Sequence, residues 1–263
     1  MLLGIDVGNS NIVLGVFDGV ELRASWRIQT RILATTEEYE VLVGGLLAAA
    51  RLDPSTIDGV ALASVVPPLT AAFADLAHRM FHRPPLVVDA GVKTGVKVRY
   101  DSPRDVGADR VVNAAAVCSH YGTPACIIDF GTGTTFDAIN ATGEYLGGAI
   151  APGLEISLQA LAGRTARLPN VELRPPPASI GRNTVHAMQS GLVFGYVALV
   201  EGMVERFRAE LGPGMRVIGT GGLADVIAGE TTVIERIDPW LTLKGLRIVY
   251  DLNRDHHERE SQP

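Results

Sequence analysis

The chain has 263 residues, of which 47% are hydrophobic and 20% charged, with a formal net charge of −6. This length is enough for a large buried core, as one large domain or two smaller ones. Only three lysines are present, and no run of Lys and Arg appears anywhere. Because nucleic-acid-binding proteins normally carry such clusters, we expect no nucleic acid as a partner. An anionic ligand must then be held by a few local groups, backbone amides or metal ions.

The predicted elements alternate between strands and helices along the chain. Apolar runs and period-2 alternation predict strands near 2–7, 12–17, 21–28, 59–64, 85–89, 125–129, 134–140, 143–150, 215–219 and 231–237. Helical periodicity predicts helices near 36–51, 68–82, 104–121, 153–162, 183–211 and 222–229. Such a mixture indicates α/β layers. The polar tail 253–263 has little to bury, and we expect it to be disordered.

Three features predict a cytoplasmic protein without a membrane span. The N-terminus has no charged leader, and Asp6 interrupts its apolar run, unlike a signal peptide. The longest apolar stretch, 59–74, contains two adjacent prolines and makes a poor membrane span. Cys118 and Cys126 lie in apolar segments, where reduced core thiols are expected more often than a disulfide.

A short internal repeat appears when Asp6 is aligned with Asp129, about half of the chain away. At both places an apolar strand ends in Asp-Xaa-Gly, a polar turn follows, and a second strand returns. The repeat suggests two related halves, 1–120 and 121–252, each beginning with a strand–turn–strand hairpin. Turns of this kind between strands are common, so the repeat alone leaves open that the two segments are similar by chance.

Both hairpins have the composition of a phosphate-binding loop. Gly8 and Gly131 allow close backbone approach, and successive amides form an anion-binding concavity. The neighbouring Asn, Ser and Thr side chains add further donors. The two aspartates would hold cations or their waters rather than phosphate. Two such hairpins could clamp one nucleotide between the halves.

Competing motifs are weaker. The sequence has no Gly-x4-Gly-Lys-Ser/Thr string, which excludes a P-loop enzyme. The string "GTGGLA" (219–224) fits a dinucleotide pattern, but too few residues follow it for that fold. A glycine-rich turn near an adenosine suits its position better, and a strand-to-helix turn without any ligand remains an alternative.

Six motifs in order resemble the type III pantothenate kinase family. They are "DVGNSN" (6–11), "ASVVP" (63–67), "GADR" (107–110), "DFGTGTTFD" (129–137), "GGAIAPG" (147–153) and "GRNTVHAMQSG" (181–191). The resemblance runs from residue 1 to about 250. It implies two duplicated actin-like (ribonuclease H-like) α/β domains with a nucleotide cleft between them. It also implies the reaction, ATP-dependent phosphorylation of pantothenate, which is the first step towards coenzyme A.

The resemblance further implies roles for particular residues. Asp109 resembles the proton acceptor, and Asp129 the ligand of a monovalent cation, K⁺ or NH₄⁺, used beside Mg²⁺. Asp6 is a candidate for holding the magnesium. The remaining implied contacts are to ATP, from Asp6, Val7, Gly8, Asn9, Ser10, Asn11, Ile12, Val13 and Thr132, and to pantothenate, from Tyr100, Gly107, Ala108, Asp109, Arg110 and Thr184.

Two of these residues also have a plain structural interpretation. Asp109 could be an exposed helix carboxylate that pairs with Arg110. Asn183 or Thr184 could cap the helix that begins near Val185, although a helix N-terminus can also receive a carboxylate of the substrate.

Family members are homodimers, so the resemblance implies a homodimer; the apolar helix 183–211 would equally suit an internal core. Two other functions remain open at this point. One is a non-catalytic relative that acts as a transcriptional accessory factor, and the other is a kinase of the same superfamily with a different acceptor.

Overall fold

The computed structural model describes residues 1–165 and 167–260, and the side chains of 255–260 lie outside that description. The chain divides into two compact units. Unit 1 contains Met1–Lys97, Asp101–Ala116 and the described chain from Thr242 to Glu260, and unit 2 contains Val98–Tyr100 and Val117–Leu241. The division of the duplicated halves at 120/121 stays a prediction.

Unit 1 is built on a five-stranded sheet with the order β3-β2-β1-β4-β5. Its strands are β1 (Leu2–Val7), β2 (Asn11–Asp18), β3 (Glu21–Gln29), β4 (Gly59–Ser64) and β5 (Leu86–Val87). The first three strands form an antiparallel meander, and β4 and β5 continue the sheet in parallel. The carboxyl ends of β1 and β4 therefore lie side by side.

Helices α1 (Thr36–Ala49) and α2 (Pro67–Phe81) cover one face of this sheet. Alternate strand residues such as Ile5 and Leu14 are buried against Tyr39 and Phe73 in one core cluster. Helix α1 starts with a capping box, because Thr35 accepts from the Glu38 amide while the Glu38 carboxylate accepts from the Thr35 amide.

Helix α8 (Leu241–Glu260) packs on strand positions that lack side chains. A Cβ atom on Gly15 would lie 2.6 Å from Leu243 Cδ1. Gly59 in the same way makes room for the Tyr250 ring, and a Cβ atom on Gly4 would lie 3.5 Å from Leu243 Cδ2. Helix α3 (Ala108–His120) meets α8 where Gly245 approaches the Val112 carbonyl.

The polar tail differs from its prediction. Helix α8 continues to Glu260, so most of the segment 253–263 is helical, and 261–263 lie outside the described residues. Asn253 anchors the start of this segment, because its side-chain amide donates to the carbonyl oxygens of Lys93 and Val249 at 2.7 Å.

Unit 2 contains a six-stranded sheet with the order β11-β10-β7-β8-β9-β6. Its strands are β6 (Lys97–Val98), β7 (Ala125–Phe130), β8 (Gly133–Ile139), β9 (Glu144–Pro152), β10 (Arg216–Thr220) and β11 (Arg236–Ile237). Strands β7, β8 and β9 are an antiparallel meander, and β10 and β11 extend it in parallel.

The two sheets repeat one strand order. Reading from the third strand of each meander, unit 1 has the order 3-2-1-4-5 and unit 2 has 9-8-7-10-11. The hairpin of Asp6 and the hairpin of Asp129 occupy the same place in this order. The sequence repeat around these two aspartates therefore reflects a duplicated architecture, and the predicted fold class is confirmed.

The helices of unit 2 are α4 (Leu154–Arg164), α5 (Thr184–Gln189), α6 (Gly195–Leu211) and α7 (Ala224–Ala228). The single helix predicted over 183–211 is interrupted by a π-helical segment, Ser190–Phe194, between α5 and α6. By length and composition alone, Thr184–Leu211 could cross a membrane, and 44% of its most apolar window is buried. Val193, Val200 and Val204 of this stretch belong to the core of unit 2. A core helix passes the same test, so the finding is weak evidence for a membrane span.

Candidate active site

The first hairpin presents its polar turn at the carboxyl end of β1. Asp6 pairs with Val13 across the hairpin and lies next to Ala63 on β4, and its side chain is half-buried. The turn is closed by the Gly8 amide, which donates to the Asn11 carbonyl at 3.0 Å. The predicted loop Asp6–Val13 is therefore a continuous strand–turn–strand segment anchored in the sheet of unit 1.

The "SVVP" segment follows β4 and contacts the base of this hairpin. The Val65 amide donates to the Val7 carbonyl at 3.0 Å. Ser64 Oγ accepts from the Val66 amide at 3.2 Å and from Thr70 Oγ1 at 2.8 Å, which secures the turn into α2. The motif thus holds the hairpin in register with β4, a role that sequence reasoning missed.

Asp109 lies in the first turn of α3, with its carboxylate folded back on the preceding backbone. Its Oδ1 accepts from the Arg110 amide at 2.9 Å. A Cβ atom on Gly107 would lie 2.5 Å from the same oxygen and 3.5 Å from Val65 Cγ1. A side chain at the glycine of "GADR" would therefore force the Asp109 carboxylate to move, and Val65 contacts both the hairpin and the Asp109 segment.

Burial raises the pKa of the Asp109 carboxyl, and it outweighs the hydrogen bond and the positive charge from Arg110 that lower it. Asp109 is half-buried, so its carboxylate is not the fully exposed helix carboxylate of the plain alternative, although it does interact with Arg110. A carboxylate with a raised pKa is a stronger proton acceptor than an ordinary one.

The second hairpin lies in the middle of unit 2. Asp129 pairs with Thr135 on β8 and with Thr220 on the parallel strand β10. Gly221 follows Thr220 with φ +95°, and a Cβ atom there would lie 2.5 Å from Asp129 Oδ1. The glycine-rich string "GTGGLA" therefore begins beside Asp129, a proximity that only the strand order reveals.

Thr132, in the turn of the second hairpin, is bonded to Gly153, the residue before α4. The Gly153 amide donates to the Thr132 carbonyl at 3.1 Å, and a Cβ atom on Gly153 would collide with the Thr132 and Gly131 carbonyls. Within the same hairpin, Thr134 is fully buried and its Oγ1 makes no hydrogen bond. The final glycine of "GGAIAPG" is thus a packing requirement of the second hairpin.

Two residues of unit 2, Tyr100 and Thr184, are predicted to bind pantothenate; Tyr100 lies outside the strands and Thr184 begins α5. The Tyr100 ring lies on Gly147 of β9, which has φ +121°, and Tyr100 is 39% exposed. Thr184 is the exposed first residue of α5. The helix cap is Asn183, whose Oδ1 accepts from the His186 amide at 2.8 Å, so the Thr184 hydroxyl is not used as the cap.

The predicted residues thus form groups within each unit. Unit 1 brings Asp6–Val13 and Gly107–Arg110 together through Val65, and unit 2 places Asp129 and Thr132 on one hairpin. The residues that were missed are Val65, Gly147, Gly153 and Gly221. All four belong to quoted motifs or strings, but their contacts depend on neighbours distant in sequence.

Among the residues that the structure describes, no three His, Cys, Asp or Glu side chains lie together as a metal cluster. Magnesium in phosphoryl-transfer enzymes is usually held by one or two carboxylates, by water and by the substrate phosphates. Asp6 and Asp129 are half-buried carboxylates at the ends of strands beside glycine turns, and they fit that donor chemistry.

Solved structures share this architecture at low sequence identity. A protein from Campylobacter jejuni, described as a conserved Baf family transcriptional activator, superposes with a TM-score of 0.61 and 17% identity over 96% of this chain and 99% of its own. The apo ParM protein of pSK41 superposes with a TM-score of 0.52 and 12% identity over 98% of each chain. These likenesses concern the fold alone, and with the repeated sheet and hairpin they define an actin-like ATPase fold.

Sequence relatives identify the family. The family model described as type III pantothenate kinase matches residues 2–206. The type III pantothenate kinase of Moorella thermoacetica is 52% identical over 253 residues, which cover 96% of this chain and 100% of that protein. The chain belongs to the type III pantothenate kinase family. It is a kinase, and neither a transcriptional accessory role nor another acceptor is favoured.

Proposed function

We propose that this chain transfers the γ-phosphoryl group of ATP to the terminal hydroxyl of pantothenate, with Asp109 as the general base. Family membership supports the reaction. The observation that carries the assignment of Asp109 is its half-buried carboxylate, which has a raised pKa and is held beside Gly107. A primary alcohol is a poor nucleophile, and a carboxylate within hydrogen-bonding reach orients it and accepts its proton.

The first hairpin, Asp6–Val13, binds the ATP phosphates in this proposal. Gly8 allows the chain to approach them, and Asn9, Ser10 and Asn11 supply side-chain donors. Thr132 of the second hairpin makes a further contact to ATP. Phosphoryl transfer depends mainly on positioning and on neutralising charge, and Arg110 adds a positive charge next to Asp109.

Two cations complete the proposal. Asp6 would hold magnesium, directly or through water, and Asp129 would hold the monovalent cation, K⁺ or NH₄⁺. When bound, they neutralise the negative charge on the phosphates. The protein's part is to hold the backbone that carries each carboxylate, through the pairing of Asp6 with Val13 and of Asp129 with Thr135 in the sheets.

Pantothenate is assigned to Tyr100, Gly107–Arg110 and Thr184. Tyr100 offers a partly exposed ring and hydroxyl, and Thr184 an exposed hydroxyl. These groups suit a ligand with a carboxylate, an amide and hydroxyls. We further propose a cytoplasmic homodimer without nucleic-acid or membrane partners, from family membership and from the acidic composition.

The role of Asp109 is tested by Asp109→Asn, with Asp105→Asn as the matched control. Asp105 is an exposed carboxylate four residues earlier on the same segment. We expect Asp109→Asn to lower kcat by about a hundredfold or more, because general-base catalysis contributes 10² to 10⁴, and to leave MgATP binding close to wild type. The control should keep its kcat. An Asp109→Asn variant with wild-type kcat would refute the assignment.

A further inference from the structure

Thr30 directly follows β3 and contacts the turn of the first hairpin twice. Its Oγ1 donates to the Gly8 carbonyl at 2.7 Å, and its backbone amide donates to the Ser10 carbonyl at 3.0 Å. Both acceptors belong to the proposed phosphate loop, and Thr30 itself belongs to none of the six motifs. We infer that Thr30 is a positioning residue for nucleotide binding: it fixes the orientation of the loop's peptide groups. This inference rests on the proposed role of the hairpin.

The physical reason lies in the geometry of the peptide group. In a planar trans peptide, the carbonyl of one residue and the amide of the next point in opposite directions. When Thr30 Oγ1 holds the Gly8 carbonyl towards β3, the Asn9 amide of the same peptide plane is directed away from β3. A donor of this kind is what an anion-binding loop must present.

Glycine makes this bond necessary. Gly8 has no Cβ, so the peptide between Gly8 and Asn9 can rotate more readily than one after another residue. If this peptide plane rotated by 180°, the Gly8 carbonyl would take the place of the Asn9 amide. An oxygen would then face the phosphates in place of a hydrogen-bond donor. A hydroxyl donor on that carbonyl opposes the rotation, since rotating would leave the bond unmade.

The second contact anchors the other side of the turn. The Thr30 amide bonds the Ser10 carbonyl, and the Gly8 amide bonds the Asn11 carbonyl at 3.0 Å. Bonds from Thr30 therefore restrain both sides of the turn, in addition to the Gly8–Asn11 bond within it. Thr30 is half-buried, so water competes less for the hydrogen bond between its hydroxyl and the Gly8 carbonyl than it would at an exposed residue.

The test replaces Thr30 by valine, which keeps the shape and removes only the hydroxyl, and by serine, which keeps the hydroxyl. Thr56→Val is the matched control. Its Oγ1 also donates to a backbone carbonyl of unit 1, that of Asp53 at 2.6 Å, but in a 3₁₀ turn outside the hairpin. MgATP binding to the full chain is measured by calorimetry without pantothenate, beside thermal unfolding.

We expect Thr30→Val to raise the Kd of MgATP roughly fivefold, about 1 kcal/mol for one lost hydrogen bond. Thr30→Ser should restore wild-type binding, Thr56→Val should bind as wild type, and the KM of pantothenate should stay unchanged in all of them. Equal MgATP affinity of Thr30→Val and wild type, or equal weakening by Thr56→Val, would overturn the inference. If valine prevents folding, Thr30→Ala takes its place under the same criteria.

This outcome is separable from that of the proposed function, which is read from pantothenate-dependent turnover. The expected affinity pattern in a chain that does not phosphorylate pantothenate would uphold the role of Thr30 and reject the acceptor. A wild-type chain that binds no MgATP would overturn both.

Discussion

Gly221 and Asp129 approach each other so closely that a side chain on the glycine would displace the carboxylate. A Cβ atom there would lie 2.5 Å from Asp129 Oδ1 and 2.6 Å from the Phe130 amide nitrogen. The contact arises because β10 pairs in parallel with β7, so that the turn after Thr220 meets the end of the second hairpin. The site proposed for the monovalent cation thus depends on a residue almost a hundred positions away in sequence.

Gly221→Ala should therefore impair the use of potassium. The new methyl group has to push the turn away from Asp129, and we expect the half-saturating K⁺ concentration to rise several-fold. Potassium activation is measured at saturating MgATP and pantothenate, with sodium keeping the ionic strength constant.

Gly122→Ala is the control for backbone strain. Gly122 has φ +82°, close to the +95° of Gly221, but a Cβ atom on it meets nothing within 4 Å. Both variants lose about 1 kcal/mol of stability through the left-handed conformation. Superimposable potassium curves for Gly221→Ala and Gly122→Ala would count against the cation site at Asp129.

The raised pKa of Asp109 predicts a pH-dependent effect on stability. Since its pKa is higher in the folded state than in the unfolded chain, the group favours folding most at low pH. That contribution is lost as pH rises from the unfolded pKa, about 4, through the folded one. Asp109→Asn removes the charge and keeps the Oδ1 acceptor. Its melting temperature should exceed that of wild type at neutral pH, and the gain should shrink as pH falls towards about 4.

Thermal unfolding at a series of pH values measures this effect, with Asp105→Asn as the exposed comparison. A gain in melting temperature that is constant with pH, or a loss at neutral pH, would contradict the burial argument.

Gly147→Ala tests whether Tyr100 belongs to the acceptor site. A Cβ atom on Gly147 would lie 3.0 Å from Tyr100 Cε2, so the ring has to shift. We expect the KM of pantothenate to rise several-fold while the KM of MgATP stays unchanged. Gly91→Ala is matched in backbone conformation, with φ +117° against +121°, and meets nothing within 4 Å. A parallel change in both KM values would argue against a role of Tyr100 in binding pantothenate.

Capping and the proposed binding of pantothenate at α5 can be separated by two substitutions. Asn183→Ala removes the bond from the His186 amide and should cost about 1 kcal/mol of stability, with little change in the KM of pantothenate. Thr184→Val should raise the KM of pantothenate and leave the stability nearly unchanged, because Thr184 is exposed and is not the cap. Steady-state kinetics and thermal unfolding of both variants give the comparison. If Thr184→Val has normal kinetics, Thr184 does not bind the acceptor.

The hairpins were predictable because their signal is local. Strand, Asp-Xaa-Gly turn and returning strand are contiguous, and their repetition pointed to two related halves, which the shared strand order confirms. The sequence around "GADR" likewise predicted a helix, near 104–121. In the structure a short 3₁₀ turn, Pro103–Asp105, comes first, and α3 begins at Ala108.

The final helix was not predicted, and Gly245 explains why. Glycine lowers helix propensity by about 1 kcal/mol, so a glycine five residues into 241–260 argues locally against a helix. In the fold it is needed, because any side chain at Gly245 would collide with the Val112 carbonyl of α3. The same limit applies to Gly147, Gly153 and Gly221, whose partners come from other elements. The π-helical interruption at Ser190–Phe194 likewise has no signal in the periodicity of the sequence.

The most direct test of the central claim is ADP release by the purified chain with MgATP and potassium, with and without pantothenate. The proposed function predicts release that depends on pantothenate, together with an equal amount of phosphorylated pantothenate in the mass spectrum, and a loss of both when sodium replaces potassium. ADP release at the same rate without pantothenate, and no phosphorylated product, would contradict it.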